Sequence, residues 1–127
     1  MEPKIAIITL NWNGKEYLDN FLKSVFNQNY ENYNIIVIDN GSLDNSIDFI
    51  KENFPEVILV ENDKNLGYAK GINIGLRKAI ALNSDYILIT NNDLILDSNI
   101  LKEGISLAKT DENIGYGMCW FHWLSFK

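Results

Sequence analysis

Ile35-Ile36-Val37-Ile38-Asp39-Asn40-Gly41-Ser42 sets four consecutive β-branched residues directly before a carboxylate and a turn. A short, unbroken apolar run of this kind is a strand buried on both faces, as in a parallel sheet covered by helices on each side. Outward from it, Ile5-Ala6-Ile7-Ile8-Thr9-Leu10, Val57-Ile58-Leu59-Val60 and Tyr86-Ile87-Leu88-Ile89 repeat the pattern. Between these runs the period lengthens to that of a helix. Leu18, Phe21, Leu22, Val25 and Phe26 form one apolar stripe, Ile47, Ile50 and Phe54 a second, and Ala69, Ile72, Leu76, Ala79 and Ile80 a third. A fourth helix is expected over Ile100, Leu101, Ile105 and Ala108, capped by Asp97 or Ser98. The order β-α-β-α-β-α-β predicts an α/β fold, an open and mostly parallel sheet with helices on both faces.

Open α/β sheets bind ligands in the crevice beyond the carboxyl ends of their strands. The four strands run into Asn11-Trp12-Asn13-Gly14, Asp39-Asn40-Gly41-Ser42, Glu61-Asn62-Asp63-Lys64-Asn65-Leu66-Gly67 and Asn91-Asn92-Asp93, so polar residues converge on one rim. The chain has 127 residues, the size of one domain, and is 46% hydrophobic with two prolines, a composition that packs a core. A formal charge of −6 with scattered Lys and Arg argues against nucleic-acid binding. Cys119 has no second cysteine to pair with and His122 is the only histidine, so a Cys/His zinc set is excluded and any metal falls to carboxylates. The apolar residues after Met1-Glu2-Pro3-Lys4 are too few for a signal or spanning segment, and a cytoplasmic location is expected.

On residue type alone, two roles are open for each rim carboxylate. Asp39 accepts either a donor on a base or ribose, or the N–H groups of its own turn. Asp93 either binds Mg²⁺ or Mn²⁺, hard cations that take one or two carboxylates plus substrate phosphates, or is a loop charge. Asn40-Gly41 is expected to be turn chemistry, with Ser42 or Asp44 capping the next helix. Gly67, Gly71 and Gly75 recur every four residues. Their spacing is not that of a dinucleotide fingerprint. Gly71 and Gly75 would let the helix approach the sheet, and Gly67, with Asn65 as cap, would let a ligand meet free N–H groups. Lys70 and Asn73, in the first two turns, touch either ligand or water.

Together, four blocks resemble the N-terminal half of a family 2 glycosyltransferase, of GT-A, Rossmann-like fold. They are Ile8-Thr9-Leu10-Asn11-Trp12-Asn13-Gly14; Ile36-Val37-Ile38-Asp39-Asn40-Gly41-Ser42 with Asp44 and Ser46; Asn65-Leu66-Gly67-Tyr68-Ala69 with Gly71, Asn73 and Gly75; and Thr90-Asn91-Asn92-Asp93. The pattern is most similar to rhamnosyltransferase-like members that build surface polysaccharides. The resemblance implies an inverting, metal-dependent transfer of sugar from a nucleoside-diphosphate-sugar to a saccharide or lipid-linked acceptor, with partners at the inner membrane surface. It implies a nucleotide-sugar site lined by Thr9, Asn11, Asp39, Gly67, Lys70, Asn73, Asn92 and Asp93. Asp39 would read the base or ribose and Asp93 would hold Mg²⁺ or Mn²⁺ on the diphosphate. Asn91 departs from the first acidic residue of many relatives, and Leu43 from a turn threonine. With no basic cluster on the chain, uridine or thymidine diphosphate-sugar binding is expected to need the cation.

The same resemblance places the general base in a C-terminal half, so no catalytic residue is assigned. Residues 1–127 are expected to form one nucleotide-sugar-binding domain, and 116–127 the start of an acceptor region. Tyr116 to Phe126 holds five aromatics in eleven residues, an apolar tail suited to pairing with a second copy. Cys119 and His122 are expected to pack rather than react. Three readings follow: a donor-binding form without transfer activity, an enzyme completed by a partner chain, and a receiver-like signalling module. The last lacks an acidic cluster after its first strand.

Overall fold

The computed structural model describes residues 2–111 and the backbone of 116–118 and 122–125. The element order is β1 (Ile5–Asn11), α1 (Lys15–Phe26), β2 (Tyr33–Asp39), α2 (Ser46–Asn53), β3 (Ile58–Glu61), α3 (Tyr68–Ala81), β4 (Tyr86–Ile89), α4 (Ile100–Ala108), β5 (Tyr116–Met118) and β6 (His122–Ser125). The sheet runs β3-β2-β1-β4-β6-β5. β1 lies between β2 and β4, and β3 joins the outer side of β2, all parallel. β6 pairs antiparallel with both β4 and β5. The side chains of the tail, His122 among them, and Cys119 lie outside what is described, as does the expected pairing through them.

Successive strand residues point to opposite faces, so each apolar run divides between two cores. Ile5, Ile7, Ile35, Val37, Tyr86 and Leu88 pack with Leu18, Phe21, Leu22 and Val25 of α1, Ile50 of α2, and Leu101 and Ile105 of α4. Ala6, Ile8, Ile36, Ile38, Ile87 and Ile89 pack with Ile72 and Ala79 of α3. This is the α/β architecture with helices on both faces. The first face is padded by bulky side chains. Among the described residues the second is closed by one helix, α3, that sits very near the sheet. A Cβ added at Gly71 would lie 2.2 Å from Leu10 Cδ1, and one at Gly75 would lie 2.6 Å from Ile8 Cγ2.

The third apolar stripe needs correction. Ile80 is 54% exposed and Ala69 is also exposed. The contact ridge is Gly71, Gly75 and Ala79 with Ile72 beside it, and each four-residue step along a helix turns about 40° past a full circle. Positions 69 and 80 therefore rotate off the sheet at opposite ends.

The cap expectations also shift. Asn99 is the N-cap of α4, while the Asp97 carboxylate accepts the Asn99 N–H at 2.8 Å, one position early. Asn45, in the left-handed region at φ 63°, is the N-cap of α2. Asp44 still serves that helix by accepting the Ser46 N–H at 3.1 Å, whereas Ser42 is engaged elsewhere.

Candidate functional site

Parallel register sets Asn11 beside Asp39 and Asp39 beside Glu61, bringing the carboxyl ends of β1, β2 and β3 to one rim. The rim is organised around Asn11, which is fully buried. Its Nδ2 donates to Asp39 Oδ2 at 2.8 Å and to Ser42 Oγ at 3.2 Å. Its Oδ1 accepts from Asn92 Nδ2 at 2.7 Å. One amide thus joins the loops after β1, β2 and β4. Gly14 fits against this junction because it has no side chain: a Cβ there would lie 2.7 Å from Asn11 Oδ1 and 2.8 Å from Asn92 Nδ2.

Asp39 is also fully buried, and its second oxygen accepts the Ser42 N–H at 2.8 Å. Of the two roles weighed for it, the turn is the one seen: the carboxylate closes its own loop while standing at the rim. The β1–α1 and β2–α2 loops are stitched further. Asn13, at φ 51°, donates its N–H to Ser42 Oγ at 2.9 Å and accepts the Leu43 N–H at 2.7 Å. Asp44 Oδ2 accepts the Lys15 N–H at 2.9 Å, which satisfies one of the unpaired donors in the first turn of α1 from a neighbouring loop.

Burial alone would raise the Asp44 carboxyl, but hydrogen bonds from the Ser46 hydroxyl and from the Lys15 and Ser46 N–H groups outweigh it and lower the pKa from 3.8. A carboxylate whose folded pKa is depressed contributes stability above its unfolded pKa and loses it as pH falls through the folded value. The stability gap between wild type and Asp44→Ala is therefore expected to be full above about pH 5 and to close below pH 3.8. Urea midpoints measured from pH 6 to pH 2.5 check this, and a gap that widens on acidification would contradict it.

On the other face of the sheet, Asn40 is a second fully buried junction. It donates from Nδ2 to Asn65 Oδ1 and to the Gly67 carbonyl, both at 3.2 Å, and accepts from Asn62 Nδ2 at 2.9 Å. Asn65 caps the Gly67 N–H at 2.8 Å rather than a donor of α3 itself. Gly67, at φ 83°, is the N-cap of α3 and has open space where a Cβ would be. Only its backbone angle calls for glycine. The expectation of mere turn chemistry at Asn40 missed a residue that ties the β3–α3 loop to the rim. An amide one position past an apolar strand is the signal that could have exposed it.

Thr9 is fully buried beneath this rim and its hydroxyl has no partner among the described residues. An unpaired buried hydroxyl costs about 1–3 kcal/mol. Thr9→Val should therefore raise stability by about 1 kcal/mol, read as a higher urea midpoint. A loss of that size would mean the hydroxyl is bonded.

Asn92 is half-buried, and Asp93 beside it is exposed. Tyr17, in the first turn of α1, has its phenol pushed above 10.0 by the Glu16 hydrogen bond and charge, then by burial, then by the charge of Asp93. The β4 loop and α1 therefore share one electrostatic neighbourhood. Lys70 and Asn73 are exposed on α3 and take no part in either junction. Trp12, Leu43 and Tyr68 are exposed on the rim loops and on the first turn of α3. Two open clefts of about 410 and 460 Å³ share Phe26 and Glu56, and the larger includes Tyr33 and Asn34 at the start of β2. They lie at the opposite end of the strands and contain none of the expected site residues.

Among the described residues there is no group of three or more His, Cys, Asp or Glu placed to hold a metal. Of the expected site residues, Asp93 alone presents an exposed carboxylate, and one such group fits a Mg²⁺ or Mn²⁺ ion whose remaining ligands are phosphate and water. No helix among the described residues is long and apolar enough to cross a membrane.

Against known proteins, residues 5–123 match the family described as "Glycosyl transferase family 2". An uncharacterized glycosyltransferase of Haemophilus influenzae is 35% identical over 107 residues, covering 82% of this chain and 42% of the relative. A poly-β-1,6-N-acetyl-D-glucosamine synthase of Staphylococcus aureus is 31% identical, covering 87% of this chain and 27% of the relative. Among solved structures, a mannosyltransferase from Pyrobaculum calidifontis in complex with GDP-Man and Mn²⁺ superposes with a TM-score of 0.82 at 22% identity, over 94% of this chain and 36% of that one. S. aureus TarS in complex with UDP-GlcNAc superposes at 0.75 and 19% identity, over 86% and 32%. The chain thus spans less than half the length of these relatives. With a parallel α/β sheet, a polar rim at its carboxyl ends and a family match over most of its length, the chain belongs to glycosyl transferase family 2.

Proposed function

We propose that this chain binds a nucleoside-diphosphate-sugar at the carboxyl rim of its sheet and takes part in inverting transfer of the sugar to a saccharide or lipid-linked acceptor, on the cytoplasmic side of a membrane. The observation that carries this reading is the buried Asn11 junction, which gathers the loops after β1, β2 and β4 at the place where open α/β sheets hold ligands. Family membership and neighbours that carry GDP-Man with Mn²⁺ or UDP-GlcNAc support it. Membership also displaces the receiver-like alternative.

In this reading Thr9, Asn11 and Asp39 form the floor and base side of the site. Asp39 has lone pairs beyond the two in use. Because it is fully buried, reaching a base or ribose donor requires the Asp39–Ser42 turn to yield. Gly67, Lys70 and Asn73 line the α3 side, where the open space at Gly67 lets a ligand approach the backbone. Asn92 and Asp93 face the diphosphate. Asp93 would hold Mg²⁺ or Mn²⁺, which when bound neutralises negative charge on the leaving diphosphate. The chain's own contribution is to bind and orient the donor, and the group that takes the acceptor proton is not assigned to any described residue. Because the chain spans 42% or less of the relatives above, the companion reading is a donor-binding unit completed by groups from elsewhere, residues 116–127 opening the acceptor side.

Calorimetric titration with UDP, dTDP and GDP, with Mn²⁺ and with chelator, tests the site. Binding that strengthens with Mn²⁺ is expected, and no binding of any of the three would remove the proposal. Donor hydrolysis and transfer assays then separate an active chain from a binding unit.

A further inference from the structure

Asn11 is fully buried, yet it bonds to both Asp39 and Asn92, residues of the proposed site that come from different strand ends. Its amide direction is forced. A carboxylate offers only acceptors, so the NH₂ group must face Asp39 and Ser42, at 2.8 and 3.2 Å. That leaves Oδ1 to face Asn92, whose own amide must then present its NH₂, at 2.7 Å. Flipping Asn11 would set oxygen against carboxylate and donor against donor, and flipping Asn92 would set oxygen against oxygen. Gly14 closes the space behind both amides, with no room for a Cβ. The result is a directed chain, carboxylate to amide to amide, from the end of β2 to the residue before Asp93.

We infer that Asn11 is a positioning residue whose buried amide couples the orientation of Asp39 to that of the Asn92–Asp93 loop, so that the base side and the diphosphate–cation side of the donor site bind as one unit. This rests on the donor-site reading above. It adds that neither loop is set independently, although Asp39 and Asp93 come from different strands and share no direct hydrogen bond. Asn11 therefore contributes without touching the ligand, and its loss is felt as weakened cooperation between nucleotide and cation.

The test is a mutant cycle on the Mn²⁺ effect, using the full chain. The quantity read is the ratio of UDP dissociation constants without and with Mn²⁺, repeated with GDP. Asn11→Ala and Asn92→Ala are each expected to lower that ratio by about fivefold or more, and the double variant to lower it no further, because both cut the same link. Losses that multiply in the double variant would overturn the inference, since the two amides would then act independently.

Should Asn11→Ala fail to fold, the side-chain amide of Asn11 supplies the second measurement. In ¹⁵N-labelled protein its NH₂ protons are expected to exchange about tenfold faster or more when Asn92→Ala frees Oδ1. An unchanged rate would overturn the coupling. A wild-type chain that binds neither UDP nor GDP overturns the donor-site reading and this inference together. A wild-type chain that gains affinity with Mn²⁺ and keeps that gain in both variants overturns the inference alone.

Discussion

Asp93→Asn is expected to abolish most of the affinity that Mn²⁺ adds to nucleoside diphosphate binding while leaving the fold intact. The substitution keeps the size and polarity of the side chain and removes one negative charge from an exposed position at the rim. Outer partners of metal ligands already cost about 10- to 100-fold in metal affinity when lost, and a direct ligand should cost at least as much. Because Asp93 is exposed, its removal should change stability by less than about 0.5 kcal/mol. The two readouts thus separate: calorimetry with UDP or GDP and Mn²⁺ should show a large loss, and urea unfolding almost none. Full retention of the Mn²⁺ effect would take the cation away from Asp93.

The same variant carries a spectroscopic check. Asp93 helps to hold the Tyr17 phenol above 10.0, behind Glu16 and burial. Asp93→Asn should therefore move the titration of that phenol slightly toward lower pH. Glu16→Gln, which removes the leading cause, should move it further.

Gly75→Val is expected to be among the most damaging single changes to the fold. A Cβ at this position would meet Ile8 Cγ2 at 2.6 Å and Ile38 Cγ1 at 3.4 Å. Ile8 and Ile38 are fully buried on adjacent, paired strands, and their stiff β-branched side chains cannot swing aside. The helix would have to lift from the sheet, uncovering the core beneath α3. Overpacking costs about 1–3 kcal/mol for small insertions. Alanine recovers about 1 kcal/mol of helix propensity over glycine, so Gly75→Ala should lose up to about 2 kcal/mol. Valine adds two more methyl groups in the same gap, and a loss of about 3 kcal/mol or more is expected, a large part of the usual 5–15 kcal/mol. Gly71→Ala should be milder, because the atom it meets is the far end of the half-buried Leu10 side chain. Urea midpoints of the three variants should fall in the order Gly71→Ala, Gly75→Ala, Gly75→Val, and a Gly75→Ala more stable than wild type would refute the close-packing account.

These glycines mark where local patterning was informative. A four-residue repeat of glycine in an apolar helix has few uses, and close approach to the sheet is the one found. The ends of the same helix were misjudged, since Ala69 and Ile80 fit the apolar period by spacing yet rotate away from the contact ridge. Caps were misplaced by one or two positions for a related reason. Asn65 and Asp97 each bond an N–H just outside the helix they were expected to cap, Asp44 bonds the first N–H of its helix without being the N-cap, and several short polar residues compete at each start.

The sequence by itself determined the alternation of strand and helix, the parallel core of the sheet, and the rim at which polar residues collect, because these follow from side-chain period and from which residue types tolerate burial. It also marked Asp39, Asn92 and Asp93 as residues of that rim. Only the tertiary structure decided that Asn11 and Asn40 are buried junctions, that Asp39 is enclosed while Asp93 is open, and that Ser42 belongs to the rim and not to a helix cap. The bonds responsible join residues 28 and 81 positions apart. A hydrogen bond is defined by where two groups meet in space, and neither period nor composition carries that distance until the strands have been placed side by side.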